Sequence, residues 1–416
     1  MHKFLPVTAA LLFLAVAAAA PIPAHAATPS APAPAPGVND TCLMCHADKD
    51  AKGAGGKSIA VDTKLYTGSV HGEMQLKCTD CHTDVSPQKL PHAEKLAPVN
   101  CGTCHDKAVA QYAGTVHGLA RKGGNAVAAN CADCHGTHDI LRAKNPSSTV
   151  NHANLVATCT RCHGDAKLAM QAKLPGGNVG GAFADSIHGK ALKGAAKMAA
   201  PECTDCHGTH DIRAKGDAKS RTARAAVPDT CGTCHTEEKA AFTKGRHGKL
   251  RQDGNMAAPG CTDCHSAHGI QPHDNAKFQI QVIKDCGTCH QEYLSSYRDT
   301  FHGQVTELGY ARMATCASCH GAHDVLPASD PASTISAKNR LETCQKCHAG
   351  ASANFASFYP HANRHDKARN PVYYYAALFM ELLLLGVFSF FGIHTVFWLY
   401  REVRVKLSGK RSGDPS

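Results

Sequence analysis

The sequence is punctuated by C-x-x-C-H. The motif opens at Cys42 (CLMCH) and recurs as far as Cys344 (CQKCH), eleven times in all, and it uses every one of the 22 cysteines. The sites are Cys42, Cys45 and His46; Cys78, Cys81 and His82; Cys101, Cys104 and His105; Cys131, Cys134 and His135; Cys159, Cys162 and His163; Cys203, Cys206 and His207; Cys231, Cys234 and His235; Cys261, Cys264 and His265; Cys286, Cys289 and His290; Cys316, Cys319 and His320; and Cys344, Cys347 and His348. Two sulfurs at this spacing, followed at once by an imidazole, can add across the vinyl groups of one porphyrin and set the histidine under its iron. A disulfide scaffold has no use for a histidine after every second cysteine. A zinc ribbon pairs C-x-x-C with a second ligand pair and does not repeat the histidine. The pattern predicts eleven covalent c-type haems, with the motif histidines as proximal ligands.

That prediction limits what the chain can fold into. Residues 42–348 offer about 28 residues per haem, too few for a conventional core of Leu, Ile and Phe. Rich in Ala, Gly, Lys, Asp and Pro, the segment would be close to disordered without a cofactor. The haems are therefore expected to be the core, and the apo chain is expected not to fold. The formal charge of +10 invites a nucleic-acid reading. Each oxidised haem, with its two propionates, brings roughly −1, so eleven bring the total near neutral. No interleaving of basic and aromatic residues suggests a nucleic-acid surface.

The motifs recur in modules. One runs from Cys101 through Thr115-Val116-His117-Gly118 to residues 131–140 (CADCHGTHDI). The same order of motif, His-Gly, motif recurs with Cys159, His188 and Cys203; with Cys231, His247 and Cys261; and with Cys286, His302 and Cys316. The first unit, with Cys42, His71 and Cys78, is a variant, and a final half-unit carries Cys344. Opening cysteines are mostly 55–59 residues apart, with one step of 72 to which the glycine-rich insert 175–181 contributes. Short helices are expected ahead of each His-Gly, for example over residues 106–117 and 291–302, with single turns at the motifs and little or no β-structure.

Bis-histidine haems need eleven distal ligands. Setting aside the motif histidines, His2 and His25 near the N-terminus and His394 in the last apolar run, fourteen of the 28 histidines remain. Five precede glycine between two motifs: His71, His117, His188, His247 and His302. Four follow a motif histidine by three residues: His138, His210, His268 and His323. The latter cannot easily swing to the opposite face of the same iron, so they are expected to reach a neighbouring haem. His92 stands in where the first unit lacks this close histidine, and His361 or His365 is expected to serve the last haem. His152 and His273 fall outside the repeat and are expected to bond a propionate or face solvent. Every iron can thus be closed, which favours electron transfer over a multihaem reductase of a small nitrogen or sulfur oxyanion with one open site, or over electron storage.

Residues 1–26 have the pattern of a secretory signal peptide, with Lys3, an apolar run and Ala24-His25-Ala26. Residues 27–37 (ATPSAPAPAPG) form a Pro/Ala linker, and residues 38–370 the haem domain. Residues 371–400 are expected to span a membrane, flanked by Tyr373, Tyr374 and Tyr375 on one side and Trp398 and Tyr400 on the other. The basic tail 401–416, with Arg401, Arg404, Lys406, Lys410 and Arg411, places the C-terminus in the cytoplasm and the haems in the periplasm. Within the span, His394 is a candidate for a b-type haem or quinone contact shared with a partner, or a packing residue near the interface. Glu381 is a candidate proton relay or a bond to a partner subunit.

The runs 131–140 (CADCHGTHDI), 203–212 (CTDCHGTHDI) and 316–325 (CASCHGAHDV), with the His-Gly elements ahead of them, resemble the multihaem cytochromes c of respiratory bacteria, of the doubled C-x-x-C-H type. The resemblance covers roughly residues 40–350. It implies low-potential bis-histidine haems; the fold expected is an irregular chain of short helices wrapped around stacked haems plus one C-terminal transmembrane helix, and in having only one membrane helix the chain departs from that family. The run from His394 to Arg401 looks like the start of the membrane part of di-haem cytochrome b partners. Similar cytochromes of metal- and sulfate-reducing bacteria belong to inner-membrane quinol-oxidising complexes. A single span cannot build a b-haem site alone, so the resemblance implies an integral membrane cytochrome b or quinol-oxidising subunit as partner, with periplasmic or outer-membrane cytochromes as acceptors.

Overall fold

The computed structural model describes residue 37 and residues 39–171, 178–194 and 199–409. The leader expected over residues 1–26, the linker apart from Gly37, residues 175–177 of the glycine-rich insert, and Lys410 and Arg411 lie outside the described residues. Among the described residues the secondary structure is helical, without strands, and one isolated antiparallel bridge joins Lys52 to Ser58.

The helix expected over residues 106–117 is two helices, Asp106–Ala113 and Val116–Lys122, and the one expected over 291–302 divides into Gln291–Arg298 and Phe301–Glu307. Each break has a chemical cause. Thr115 caps the second helix: its hydroxyl accepts from the Gly118 N–H at 3.0 Å and donates to the Tyr112 carbonyl at 2.7 Å. Thr300 does the same with Gly303 and Tyr297. Ser69 and Ser186 cap Gly72 and Gly189, both at 3.0 Å. The glycine after each histidine is obligatory, because a β-carbon at Gly72, Gly118, Gly189, Gly248 or Gly303 would land on the carbonyl of Tyr66, Tyr112, Phe183, Phe242 or Tyr297. His-Gly therefore marks a tight corner between two short helices, with the histidine at the second helical position.

The closing motif of each module opens a helical turn of its own. Asp80, Asp133, Asp205 and Asp263 accept from the backbone N–H of Lys77, Asn130, Glu202 and Gly260 at 2.6–2.8 Å. Ser318 serves Thr315 in the same way at 3.0 Å. This capping explains why four of the five closing motifs read C-x-D-C-H.

The described residues form almost no apolar core. Their buried hydrophobic side chains are Ala200, Ala223, Ala258, Ile283, Ala311 and Ala356, and the largest fully buried side chains are Thr115, Ser69, Ser186 and Ser333. Three of these four, Thr115, Ser69 and Ser186, are helix caps, so their burial serves corner geometry.

The terminal helix, Pro371–Gly409, starts with proline, a residue suited to a first helical position. It is long and apolar enough to cross a membrane, and none of its apolar window is buried against the rest of the chain. It runs past the expected end at residue 400 because nothing before Gly409 breaks it. Its 39 residues reach about 58 Å at ~1.5 Å per residue.

Candidate haem-ligand array

Successive modules are stitched backbone to backbone. The residue ahead of four of the five His-Gly histidines donates its N–H to the carbonyl at the end of the next module's closing run: Val70 to Ile140 (2.9 Å), Val116 to Ile212 (3.0 Å), Ile187 to Ile270 (2.8 Å) and Arg246 to Val325 (2.7 Å). One bond thus sets two histidines from adjacent modules in place, for example His71 beside Val70 and His138 two residues before Ile140.

The consequence is a set of eleven facing imidazole pairs. His-Gly histidines reach forward to the next opening motif: His71 faces His105 (6.1 Å between ring centroids), His117 faces His163 (6.1 Å), His188 faces His235 (6.1 Å), His247 faces His290 (6.3 Å) and His302 faces His348 (6.1 Å). The close histidines reach back to the previous closing motif: His138 faces His82 (6.2 Å), His210 faces His135 (5.9 Å), His268 faces His207 (5.9 Å) and His323 faces His265 (6.0 Å). His92 faces His46 at 5.9 Å, and His361 faces His320 at 6.1 Å. Only the pair of His46 and His92 lies within one module.

The sequence led to the expectation that His361 or His365 serves the last motif. The structure sets His361 opposite His320, because His302 reaches forward to His348 and occupies that place. His365 is an exposed residue beside Arg364. His152 lies 3.8 Å from Asp205, and its Nδ1 is buried without a partner. His394 lies on the terminal helix, far along the chain from the motifs.

The spacing fits a metal between each pair. An imidazole nitrogen sits about 2 Å from a bound metal, and its ring centroid about 1 Å further back, so two rings across one metal have centroids ~6 Å apart. Among the described residues no cluster of three or more His, Cys, Asp or Glu could close on a bare metal ion, as a structural zinc site would require. Where a ring nitrogen in the array is hydrogen-bonded it is Nδ1: His46 to the Ile59 carbonyl (2.7 Å), His92 to the Ala93 carbonyl (2.8 Å) and His361 to the Ser296 hydroxyl (3.1 Å). That leaves Nε2 for the metal and fixes ring orientation from behind. Ser296 and the cap residues Ser69 and Thr115 belong to this support and were missed in the sequence; the recurring S/T-x-H-G pattern was the available signal for the caps.

Burial, ahead of any neighbouring charge, lowers the pKa of His71, His117, His135, His138, His188, His207, His247, His265, His302 and His320. Each is biased toward the neutral form that a metal takes. Burial also pushes the thiols of Cys78 and Cys264 up to about 11. All motif cysteines are free of disulfides.

The sulfurs form a file. Within a module the first cysteines of the two motifs interact: Cys42 with Cys78, Cys101 with Cys131, Cys159 with Cys203, Cys231 with Cys261 and Cys286 with Cys316. Between modules, Cys81 lies near Cys104, Cys134 near Cys159, Cys206 near Cys234, Cys264 near Cys286 and Cys319 near Cys344. A single cavity of about 3330 Å³, into which eight of the motifs open, extends from Val116 to His361. One ligand pocket occupies ~300–1,000 Å³, so this space suits several large planar groups in a row.

Residues 64–136 match the family of cytochrome c7 and related cytochromes c, and residues 196–240 match the doubled CXXCH motif. The chain is 26% identical over 171 residues to the multiheme cytochrome MtrA of Shewanella baltica, covering 39% of this chain and 46% of that protein. It is 30% identical over 150 residues to the cytochrome c-type protein NrfB of Escherichia coli, covering 33% of this chain and 74% of that one. It is 25% identical over 275 residues to the high-molecular-weight cytochrome c of Nitratidesulfovibrio vulgaris, covering 60% of this chain and 46% of that protein. The matches thus span about half the length of the first and third relatives. No solved structure matches.

Proposed function

This chain belongs to the multihaem cytochromes c, and from that premise we propose that it carries electrons through eleven covalent c haems, each iron held between two imidazoles. The observation that carries the reading is the set of eleven facing pairs, 5.9–6.3 Å apart, each joining one motif histidine to one histidine from elsewhere. The file of cysteines supports a haem order that follows the sequence, since each motif neighbours the one before and the one after. Haems anchored so close together suit electron hopping, and closed irons favour conduction over catalysis.

The terminal helix supports a tether in the inner membrane with the haem domain in the periplasm. Electrons would then come from a quinol-oxidising partner, an integral membrane cytochrome b or its equivalent, and leave to periplasmic or outer-membrane cytochromes during anaerobic respiration. His394, on that helix, would be the residue that a b haem or quinone of the partner meets. The haem of His320 and His361 is the natural first acceptor, because only nine residues separate His361 from Pro371.

Intact mass and a haemochrome titration of the purified protein test the count. Eleven haems per chain are expected, and a smaller number in fully matured protein sinks the assignment. In membrane vesicles, removal of residues 371–416 should abolish quinol-driven reduction while leaving the released domain reducible by dithionite.

A further inference from the structure

We propose that His92 is an exchangeable ligand, and that the haem held by Cys42, Cys45 and His46 binds a small neutral diatomic molecule in its ferrous state when His92 lets go. The inference rests on the bis-imidazole reading above. The exchange involves no electron transfer: the bond from the His92 nitrogen to iron breaks, a bond from the incoming molecule forms, and the iron stays ferrous.

Ten of the eleven pairs join different modules, and the rings of those pairs sit on elements with other work to do. The His-Gly histidines occupy helices tied down at a tight corner, and four of the five are stitched to the next module. The close histidines sit two residues before the carbonyl that receives each stitch. His361 is braced by Ser296. Releasing any of these from its iron would loosen a junction.

His92 has no such role. Residues 83–99 contain no helix. The segment is pinned at one end by the Lys89 N–H to the Ser86 carbonyl (3.0 Å) and at the other by the Ala97 N–H to Asp84 (2.6 Å). Between them, among the described residues, the only hydrogen bond is that of the His92 ring to the carbonyl of its own neighbour Ala93. A segment with so few bonds opens at low cost. The opposite ring is held firmly. His46 donates from Nδ1 to the Ile59 carbonyl, and its own carbonyl accepts from Val61 at 2.6 Å. If one bond to this iron yields, it is the one to His92. The site lies at the end of the file farthest along the chain from the membrane helix.

The test is carbon monoxide titration of the dithionite-reduced holoprotein, read from the Soret band, in the wild type, His92→Ala and His210→Ala. The proposal expects about one haem per chain to bind in the wild type. It expects the same stoichiometry in H92A, with apparent affinity higher by about tenfold or more because competition from the histidine is gone. It expects about two haems to bind in H210A, where a second iron has been opened. No binding in the wild type overturns the proposal, as does an H92A stoichiometry one greater than wild type, which would place the site elsewhere. Either result leaves the low-spin ligation of the resting protein, and hence the wire, untouched.

Discussion

His361 faces His320 across 6.1 Å, although the motif nearest to it in sequence is that of His348. The chain skips one motif because His302, from the preceding module, already faces His348. The juxtamembrane segment is thereby fastened to the tenth motif. H361A should therefore create one high-spin iron, and that signal should vanish when Cys316 and Cys319 are also replaced. Persistence of the signal in the triple variant would mean that His361 serves another haem.

The corner glycines make a second prediction. A methyl group at Gly118 collides with the Tyr112 carbonyl, and backbone cannot yield as a long side chain can. G118A should cost about 1–3 kcal/mol, the usual range for overpacking. It should also loosen the iron facing His163, which His117 serves. A lowered melting temperature together with new high-spin signal tests both. Thr115→Ala removes only the cap and should cost about 1 kcal/mol, without opening an iron.

The turn after the closing motifs predicts a coupled pair. Gly136, Gly208 and Gly321 have φ of 86°, 83° and 80°, and a β-carbon there would crowd Asp139, Asp211 or Asp324. In the fourth module the same turn holds Ser266 at φ 61° with Gly269 in place of the aspartate. The serine is tolerated because the carboxylate is gone. S266G should stabilise by about 1 kcal/mol by removing left-handed strain. G269D should destabilise alone and be rescued by S266G, as a double-mutant cycle of melting curves would register.

The buried side chains are too few and too small to hold the chain together by themselves. Protein matured without haem should lack cooperative melting and be digested rapidly by proteases, whereas the haem-loaded form resists. A protease-resistant apo chain would show that the polypeptide has a core of its own.

Much of this was legible in the sequence because covalent haem attachment is written in consecutive residues. The motifs, the modules and the two classes of histidine needed only spacing. The direction in which each histidine reaches was not legible, because it depends on a hydrogen bond between residues 70 positions apart, such as Val70 to Ile140. The corners were readable in principle from Thr115 and Gly118, yet the intervening residues suit a continuous helix, and it takes the Thr115 cap together with the close approach of Gly118 to the Tyr112 carbonyl to turn it. The helix past residue 400 was missed for a simpler reason: the apolar pattern ends there, but helix propensity does not.

The central claim is that every iron in the resting protein lies between two imidazoles. Electron paramagnetic resonance of the fully oxidised holoprotein, quantified against its haem content, measures this directly. The account predicts eleven low-spin ferric haems and no high-spin signal. A high-spin component amounting to about one haem or more in undamaged wild-type protein would contradict it.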